Sequence, residues 1–281
     1  MPPASADPLL PAPAVRLIAT DLDGTLLRDA RTVSQRTVDA LAAAEAAGID
    51  VFFVTGRPAR WLDVIADVLA GHGLAIVANG AGLYEVRTGA LVEAFPLPET
   101  DALEVARTLR EALPGTVFAV ERAHVFRREP GYTPGEPDGG APAPLEQLLA
   151  EDLDQPLLKL LAKHPDQDPD AFLAAALRVA GRQAEITRSS ETALLEISGV
   201  GVSKASTLAK CCAERGVTAA EVVAFGDMPN DLAMLGWAGT SYAVANAHPA
   251  VLAATTHRTA SNEEDGVAQV IERIVAARRQ G

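Results

Sequence analysis

Two carboxylates one residue apart, Asp21 and Asp23, stand immediately before Gly24 in the segment LIATDLDGTLL. Like charges so close repel, so the pair implies a neutralising cation, a shared chemical task, or both. Further polar groups occur as Thr55, Gly56 and Arg57 in FFVTGRP, Lys204 in GVSKAS, and Gly226, Asp227, Asn230 and Asp231 in VVAFGDMPND. Together they offer hard oxygen ligands for a divalent cation, a hydroxyl and an ammonium for phosphate oxygens, and a nucleophile beside a proton donor. Each alone has an ordinary use: an Asp before Gly makes turns, Thr55 can cap a helix, Lys204 can be solvated, and Asp231 suits a helix start. Four such clusters at comparable places in the chain are hard to assign to coincidence.

The surrounding pattern says what must position them. VRLIAT precedes a helical pattern at 34–47, IDVFFVT precedes another at 58–70, and LAIVAN runs into a glycine-rich turn. Short, nearly continuous apolar strands alternating with helices predict a parallel sheet covered on both faces. Ser34 reads as an N-cap, and Pro58 sits where a first helical turn tolerates proline. After Gly82 the rhythm changes to a strand or hairpin at 117–128, a strand at 157–163, a helix at 171–179, and strands at 184–188 and 193–197. Residues 130–144, PGYTPGEPDGGAPAP, predict a long exposed loop. From Val202 the first rhythm resumes, with a helix at 204–215, the strand EVVAFG, a helix at 231–235, the strand SYAVAN and a final helix at 266–279.

The expected fold is therefore α/β: a doubly wound, mostly parallel Rossmann-like core sheet with an inserted α+β unit. Residues 1–14 are expected to be a disordered tail, 15–81 and 202–281 the discontinuous core, and 82–201 the insertion. Open parallel sheets bind ligands at the carboxyl ends of their strands, where Asp21, Asp23, Thr55, Gly56, Arg57 and Asp227 all fall.

With 281 residues and 48% hydrophobic composition, the chain can bury a core without staples. Cys211 and Cys212, the two cysteines, are adjacent and poorly suited to a structural disulfide, which favours a reducing compartment. MPPASADPLLPAPA has neither a basic start nor a long apolar run, so the expectation is a soluble cytoplasmic protein. A net charge of -13 works against nucleic acid or an anionic membrane as partner, and a phosphorylated ligand needs a local cation to receive it. No obligate protein partner is evident.

Competing motifs fail. A calcium loop starting at Asp21 would need glycine at Leu26 and glutamate at Thr32. In GVGVSKAS, Ser203 takes the glycine position of a P-loop and Ala205 lacks the required hydroxyl, while NGAGLYE lacks the third glycine of a dinucleotide fingerprint.

The ordered set D-x-D-G-T-L at Asp21, T-G-R at Thr55, a lysine at Lys204 and G-D-x-x-N-D at Gly226 resembles the haloacid dehalogenase superfamily. The tail, YAVANAHPAVLAA through SNEEDGVAQVIERI, is similar to its Cof-type, subclass IIB phosphatases. The resemblance implies a Mg2+-dependent phosphatase acting on a small phosphomonoester, a sugar phosphate or similar metabolite. It implies Asp21 as the nucleophile that forms an aspartyl phosphate and Asp23 as the acid and base. Mg2+ would sit on Asp21, the backbone carbonyl of Asp23 and Asp227, with Asp231 close by or acting through water. Thr55, the Gly56 amide, Lys204 and Asn230 would hold phosphoryl oxygens. The insertion would be a lid, with Arg57, His124 and Arg188 as candidates for selecting substrate, and Glu121, Arg127 and Lys159 as further cap residues able to face the core. Trp61 and Trp237 are expected to pack helices. Two alternatives stand beside this reading: a phosphohexomutase of the same superfamily, and a catalytically idle phosphate-binding regulator, for which Asp23 would be superfluous.

Overall fold

The structure is a computed structural model that describes residues 15–62, 74–86, 88–133, 140–255 and 257–279. The expected tail at 1–14 and residues 63–70 of the expected second helix lie outside the described residues.

The core sheet contains β1 (Leu17–Thr20), β2 (Asp50–Val54), β3 (Leu74–Val77), β4 (Gly82–Glu85), β5 (Ala90–Ala94), β11 (Val222–Gly226), β12 (Thr240–Ala243) and β13 (His257–Arg258). Its order is β13-β12-β11-β1-β2-β3-β4-β5, parallel from β13 through β3. β1 and β11 are buried along their whole length, as strands covered on both faces must be. The helices Gln35–Ala46 and Gly266–Arg278 bury Leu41, Ala44, Ile271 and Ile274 in the same apolar cluster as these strands. The Ser34 side chain accepts the Thr37 amide and caps the first of these helices.

The boundary expected at 82 is corrected. β4 and β5 extend the core sheet antiparallel, pairing β3 with β4 and β4 with β5. The parallel rhythm stops at β3, but a hairpin can still close the sheet's edge without sharing that rhythm. The chain leaves the sheet after Ala94 and returns beside its point of departure, since a Cβ on Gly199 would lie 3.4 Å from the Pro96 carbonyl oxygen.

Between those crossings, β6 (Val117–Arg122), β7 (Phe126–Arg128), β8 (Leu157–Lys163), β9 (Glu185–Thr187) and β10 (Leu194–Ser198) form an antiparallel sheet in the order β7-β6-β8-β10-β9. The helices Glu99–Ala112, Leu145–Ala150 and Pro169–Ala180 bury Val105, Leu109, Leu148 and Phe172 with Phe118, Leu160 and Ile197 of the sheet. Alternation puts Glu121, Leu161 and Glu196 among the residues of the opposite face. The helices at 99–112 and 145–150 were not anticipated. Within the expected loop at 130–144, Tyr132 is buried against Phe126, their ring centroids 6.0 Å apart, and residues 134–139 lie outside the described residues.

Candidate active site

The site is assembled where β1 and β11 end. The Asp21 amide donates to the Phe225 carbonyl at 3.1 Å, continuing the ladder for one residue and setting Asp21 beside the loop that carries Asp227. The chain then turns through Gly24 at φ +73°, where a Cβ would run into the Asp227 carboxylate, so only glycine fits. Gly226 is likewise bare where Asp231 packs, with an added Cβ 2.6 Å from that side chain. Asp231 Oδ2 accepts the Asp227 and Met228 amides at 3.0 and 3.1 Å, pinning the loop. Thr25 donates its hydroxyl to Asp227 Oδ1 at 2.8 Å.

Lys204 opens the helix Lys204–Glu214, whose Ser203 cap is reciprocated by Ser206. It is fully buried, and its Nζ donates to Asp21 Oδ1 at 2.5 Å and Asp231 Oδ1 at 2.7 Å. Ligand atoms of Asp21, Asp227 and Asp231 lie within 4.8 Å of one another. Three buried carboxylates facing one ammonium leave two negative charges in excess, which a hard dication with oxygen preference would balance. Burial, with the neighbouring Asp231 charge, pushes the Asp227 carboxyl up to about 7. Burial also raises Asp21 well above the ordinary carboxylate range, despite the opposing effect of Lys204. Burial alone would depress the Lys204 ammonium, but Asp21 and Asp231 outweigh it and raise it. The donor set and its charge deficit fit Mg2+. Asp231 belongs to this three-carboxylate group while its oxygens also accept from Lys204 and from the Asp227 and Met228 amides.

Asp23 is separate from this carboxylate group. Its side chain is 51% exposed, and Arg57 holds both its oxygens, Nε to Oδ2 at 2.6 Å and Nη2 to Oδ1 at 2.5 Å. Thr55 is buried, and its hydroxyl accepts the Arg57 amide at 3.0 Å. Its carbonyl accepts the Asn79 amide at 3.0 Å. Asn79, at φ +57°, accepts Asn230 Nδ2 on its Oδ1 at 3.0 Å. Asn230 Oδ1 is buried with no hydrogen-bond partner among the described residues. Asn79 was missed, although the Asn-Gly pair after the strand LAIV is itself a left-handed turn signal.

A cavity of about 360 Å³ opens above Asp21, Asp23, Gly56, Arg57 and Asn230, roofed by the free face of the five-stranded sheet. Lys159 joins roof to floor: its Nζ donates to the Gly56 carbonyl at 2.8 Å and Glu196 Oε1 at 2.7 Å, and lies 3.3 Å from Glu121. Burial opposes the charge on Glu196, but Lys159 prevails and keeps the carboxyl below its usual range. Trp61 is corrected: it lines this cavity rather than packing a helix, with the Arg60 guanidinium 5.2 Å over its ring. Trp237 does pack against the core. His124 and Arg188 are corrected as well. His124 is exposed and absent from the cavity wall. Arg188 is engaged by Asp170, the Ser190 carbonyl and His248, and its own carbonyl accepts the Asn230 amide at 3.3 Å. Arg127 pairs with Asp152.

A parallel α/β core with an inserted antiparallel cap, and carboxylates and a lysine gathered at its strand ends, defines the class of capped phosphoryl-transfer hydrolases. Consistent with this, the sequence profile of the haloacid dehalogenase-like hydrolases matches residues 18–271. The pyridoxal phosphate phosphatase of Escherichia coli is 32% identical over 267 residues, 91% of this chain and 97% of that protein. The 5-amino-6-(5-phospho-D-ribitylamino)uracil phosphatase of Bacillus subtilis is 32% identical over 262 residues, covering 93% and 96%. A solved phosphatase of the same superfamily from Bacteroides thetaiotaomicron shares the fold with a TM-score of 0.78 at 23% identity, covering 96% and 99% of the two chains. A subclass IIB sugar phosphatase does so at 0.76 and 19%, covering 92% and 98%. The chain belongs to the haloacid dehalogenase-like hydrolases. It is a Mg2+-dependent phosphatase that acts on a small phosphorylated metabolite through an aspartyl phosphate. No described helix is long and apolar enough to cross a membrane.

Proposed function

We propose that this chain is a cytoplasmic phosphomonoesterase in which Asp21 and Asp23 divide the chemistry. The observation that carries the assignment is the Lys204 bridge, which engages Asp21 Oδ1 and Asp231 and fixes the Asp21 carboxylate at the cavity floor. Asp21 attacks phosphorus, the ester P–O bond breaks, and the departing oxygen takes the proton of Asp23. The Asp23 carboxylate then takes a proton from water. The resulting hydroxide attacks the phosphoaspartate, and its P–O bond to Asp21 breaks to release phosphate. Thr55, the Gly56 amide, Lys204 and Asn230 hold the transferring oxygens. Mg2+, held by Asp21, Asp227 and the Asp23 carbonyl, would neutralise charge on the phosphoryl group.

Relatives named for pyridoxal phosphate and for a phosphoribitylamino uracil support a small phosphorylated metabolite as substrate. The test is phosphate release from a panel of phosphorylated metabolites with and without Mg2+, with parallel assay for isomerised sugar phosphates. Mg2+-dependent release is expected. Isomer formation dependent on a bisphosphate primer would replace the hydrolase with a mutase.

A further inference from the structure

Resting on the division of labour between Asp21 and Asp23, we infer that Asn246 and Asn262, two side-chain amides from the C-terminal part of the chain, are positioning residues for the Asp23 acid. Both stand away from the cavity wall. Their hydrogen bonds fall instead on the turn that carries Asp23. After Asp21 the chain winds once around a single acceptor, the Leu22 carbonyl, which takes the amides of Thr25, Leu26 and Leu27 at 3.3, 3.0 and 2.8 Å. Within that turn, Gly24 at φ +73° has no side chain to hold its backbone in place. A rotation there would move Asp23, its neighbour in the chain.

Asn246 supplies the missing restraint, its Nδ2 donating to the Gly24 carbonyl at 2.7 Å. Asn262 holds the far end of the turn: its Nδ2 donates to the Leu27 carbonyl at 3.0 Å and to Asp29 Oδ1 at 3.1 Å. The Asn262 backbone amide donates to Asn246 Oδ1 at 3.1 Å, so the two asparagines form one brace. Asn262 is 4% exposed and spends both side-chain hydrogens on this one segment, whereas Asn246 is exposed. Other contacts from the same tail lie past the turn: Glu263 accepts the Asp29 amide at 2.7 Å, and Arg28 donates to the two Asp265 oxygens at 2.9 and 3.1 Å. Asp23 therefore stands between two restraints, Arg57 on its carboxylate and the asparagine brace on the backbone beside it. A leaving group that takes a proton from Asp23 must loosen or share the Arg57 fork. The brace is then what keeps the acid in line, because it makes no contact that the substrate has to displace.

The test follows the phosphorylation step by rapid quench, with saturating ester and Mg2+. It compares 4-nitrophenyl phosphate, whose phenolate departs with little protonation, with the faster of glucose 6-phosphate and ribose 5-phosphate, whose alkoxides need the acid. Asn246→Ala and Asn246→Asp both remove the donor to Gly24, and only the second adds a charge. Each should slow the sugar ester by at least roughly tenfold and the aryl ester by less than about threefold, with a melting temperature close to the parent's. Arg28→Ala, which removes a tail contact past the turn, should leave both rates near the parent's. Equal slowing of the two esters, unchanged rates, a defect confined to Asn246→Asp, the same selective defect in Arg28→Ala, or Asn246 variants that no longer fold would each overturn the inference. Asp23→Asn, run alongside, separates it from the assignment on which it rests. If that variant does not slow the sugar ester more than the aryl ester, the acid reading falls and this inference with it. If Asp23→Asn discriminates and the Asn246 variants do not, the inference alone falls.

Discussion

Arg57 grips Asp23 through two nearly parallel hydrogen bonds, 2.6 and 2.5 Å long, so both oxygens needed by a leaving group are occupied when no substrate is present. Catalysis then requires the substrate to draw Asp23 away from the guanidinium, or to share it. Arg57→Ala should leave Asp23 mobile and unaligned, and lower kcat/KM by about 10- to 100-fold, the range for losing hydrogen bonds to a charged group. Arg57→Lys should recover little, because an ammonium cannot form the paired geometry. Steady-state kinetics on one ester decide this, and a lysine variant as fast as the parent would show that the fork is incidental.

Lys204 has a larger structural role than its place at a helix start suggests. The sequence invites the expectation that its loss spares the fold, yet here it is fully buried between carboxylates. Lys204→Ala should cut turnover by about 10²- to 10³-fold. It should also destabilise the metal-free protein by ~3–5 kcal/mol, since three buried carboxylates lose their one buried ammonium. Thermal melts with and without Mg2+ check this: the variant's deficit should shrink when the dication is added. An unchanged melting temperature without metal would refute the electrostatic account.

The raised carboxyl of Asp227 predicts a pH dependence with a definite sign. Its folded value of about 7 exceeds the ordinary 3.8, so between those values the folded state holds a proton that the unfolded chain has released. The metal-free fold therefore loses stability as pH rises through that window. Mg2+ needs the carboxylate, so its affinity should rise with pH and level off above about 7. Calorimetry in buffers of different ionisation enthalpy should register proton release on Mg2+ binding at pH 6 and little at pH 8. Equal release at both would place the titration elsewhere.

The sheet pairing changes how the cap should be removed. Replacing 83–200 would delete β4 and β5, which close the edge of the core sheet, and should give an insoluble product. Replacing 97–198 with a short linker should leave a folded core that binds Mg2+, because the two crossings lie side by side at Pro96 and Gly199. That core should lose its preference among phosphomonoesters. An unchanged substrate ranking would move selectivity into the core.

What was legible in the sequence follows from how local each determinant is. Asp21, Thr55 and Asp227 were readable because buried parallel strands leave apolar runs, and chemistry concentrates where those runs stop, whereas Lys204 showed only as a charge at a helix start. The edge hairpin β4–β5 was not readable as core, since its alternating pattern matches the cap's strands equally well. The 99–112 helix escaped notice although Ala102, Val105, Ala106 and Leu109 mark one face, because Pro96 and Pro98 make its entry look like a loop. Long-range pairing was invisible altogether. Nothing near Lys159 announces that it meets Gly56 from 103 residues away, nor near Arg188 that it turns from the cavity toward His248.

The two carboxylates before Gly24 should separate cleanly by mutation. Asp21→Asn removes the attacking oxygen and a metal ligand and takes an anion from Lys204, so it should abolish turnover and any covalent phosphoenzyme. Asp23→Asn should behave differently. Its side chain stands outside the cluster of Asp21, Asp227 and Asp231, so Mg2+ affinity should be nearly retained. Loss of the acid should slow turnover by roughly 10²- to 10⁴-fold on an alkyl ester. An aryl phosphate, whose phenolate departs with little protonation, should still phosphorylate this variant quickly. Dephosphorylation needs the same residue as a base, so the acyl phosphate should then accumulate. Rapid-quench trapping with mass spectrometry reads this directly: label on Asp21, building up in Asp23→Asn with the aryl ester, is the expected result. Label on another residue, or a variant whose phosphorylation step is equally slow with both ester types, would mean that the acid and the nucleophile have been assigned to the wrong side chains.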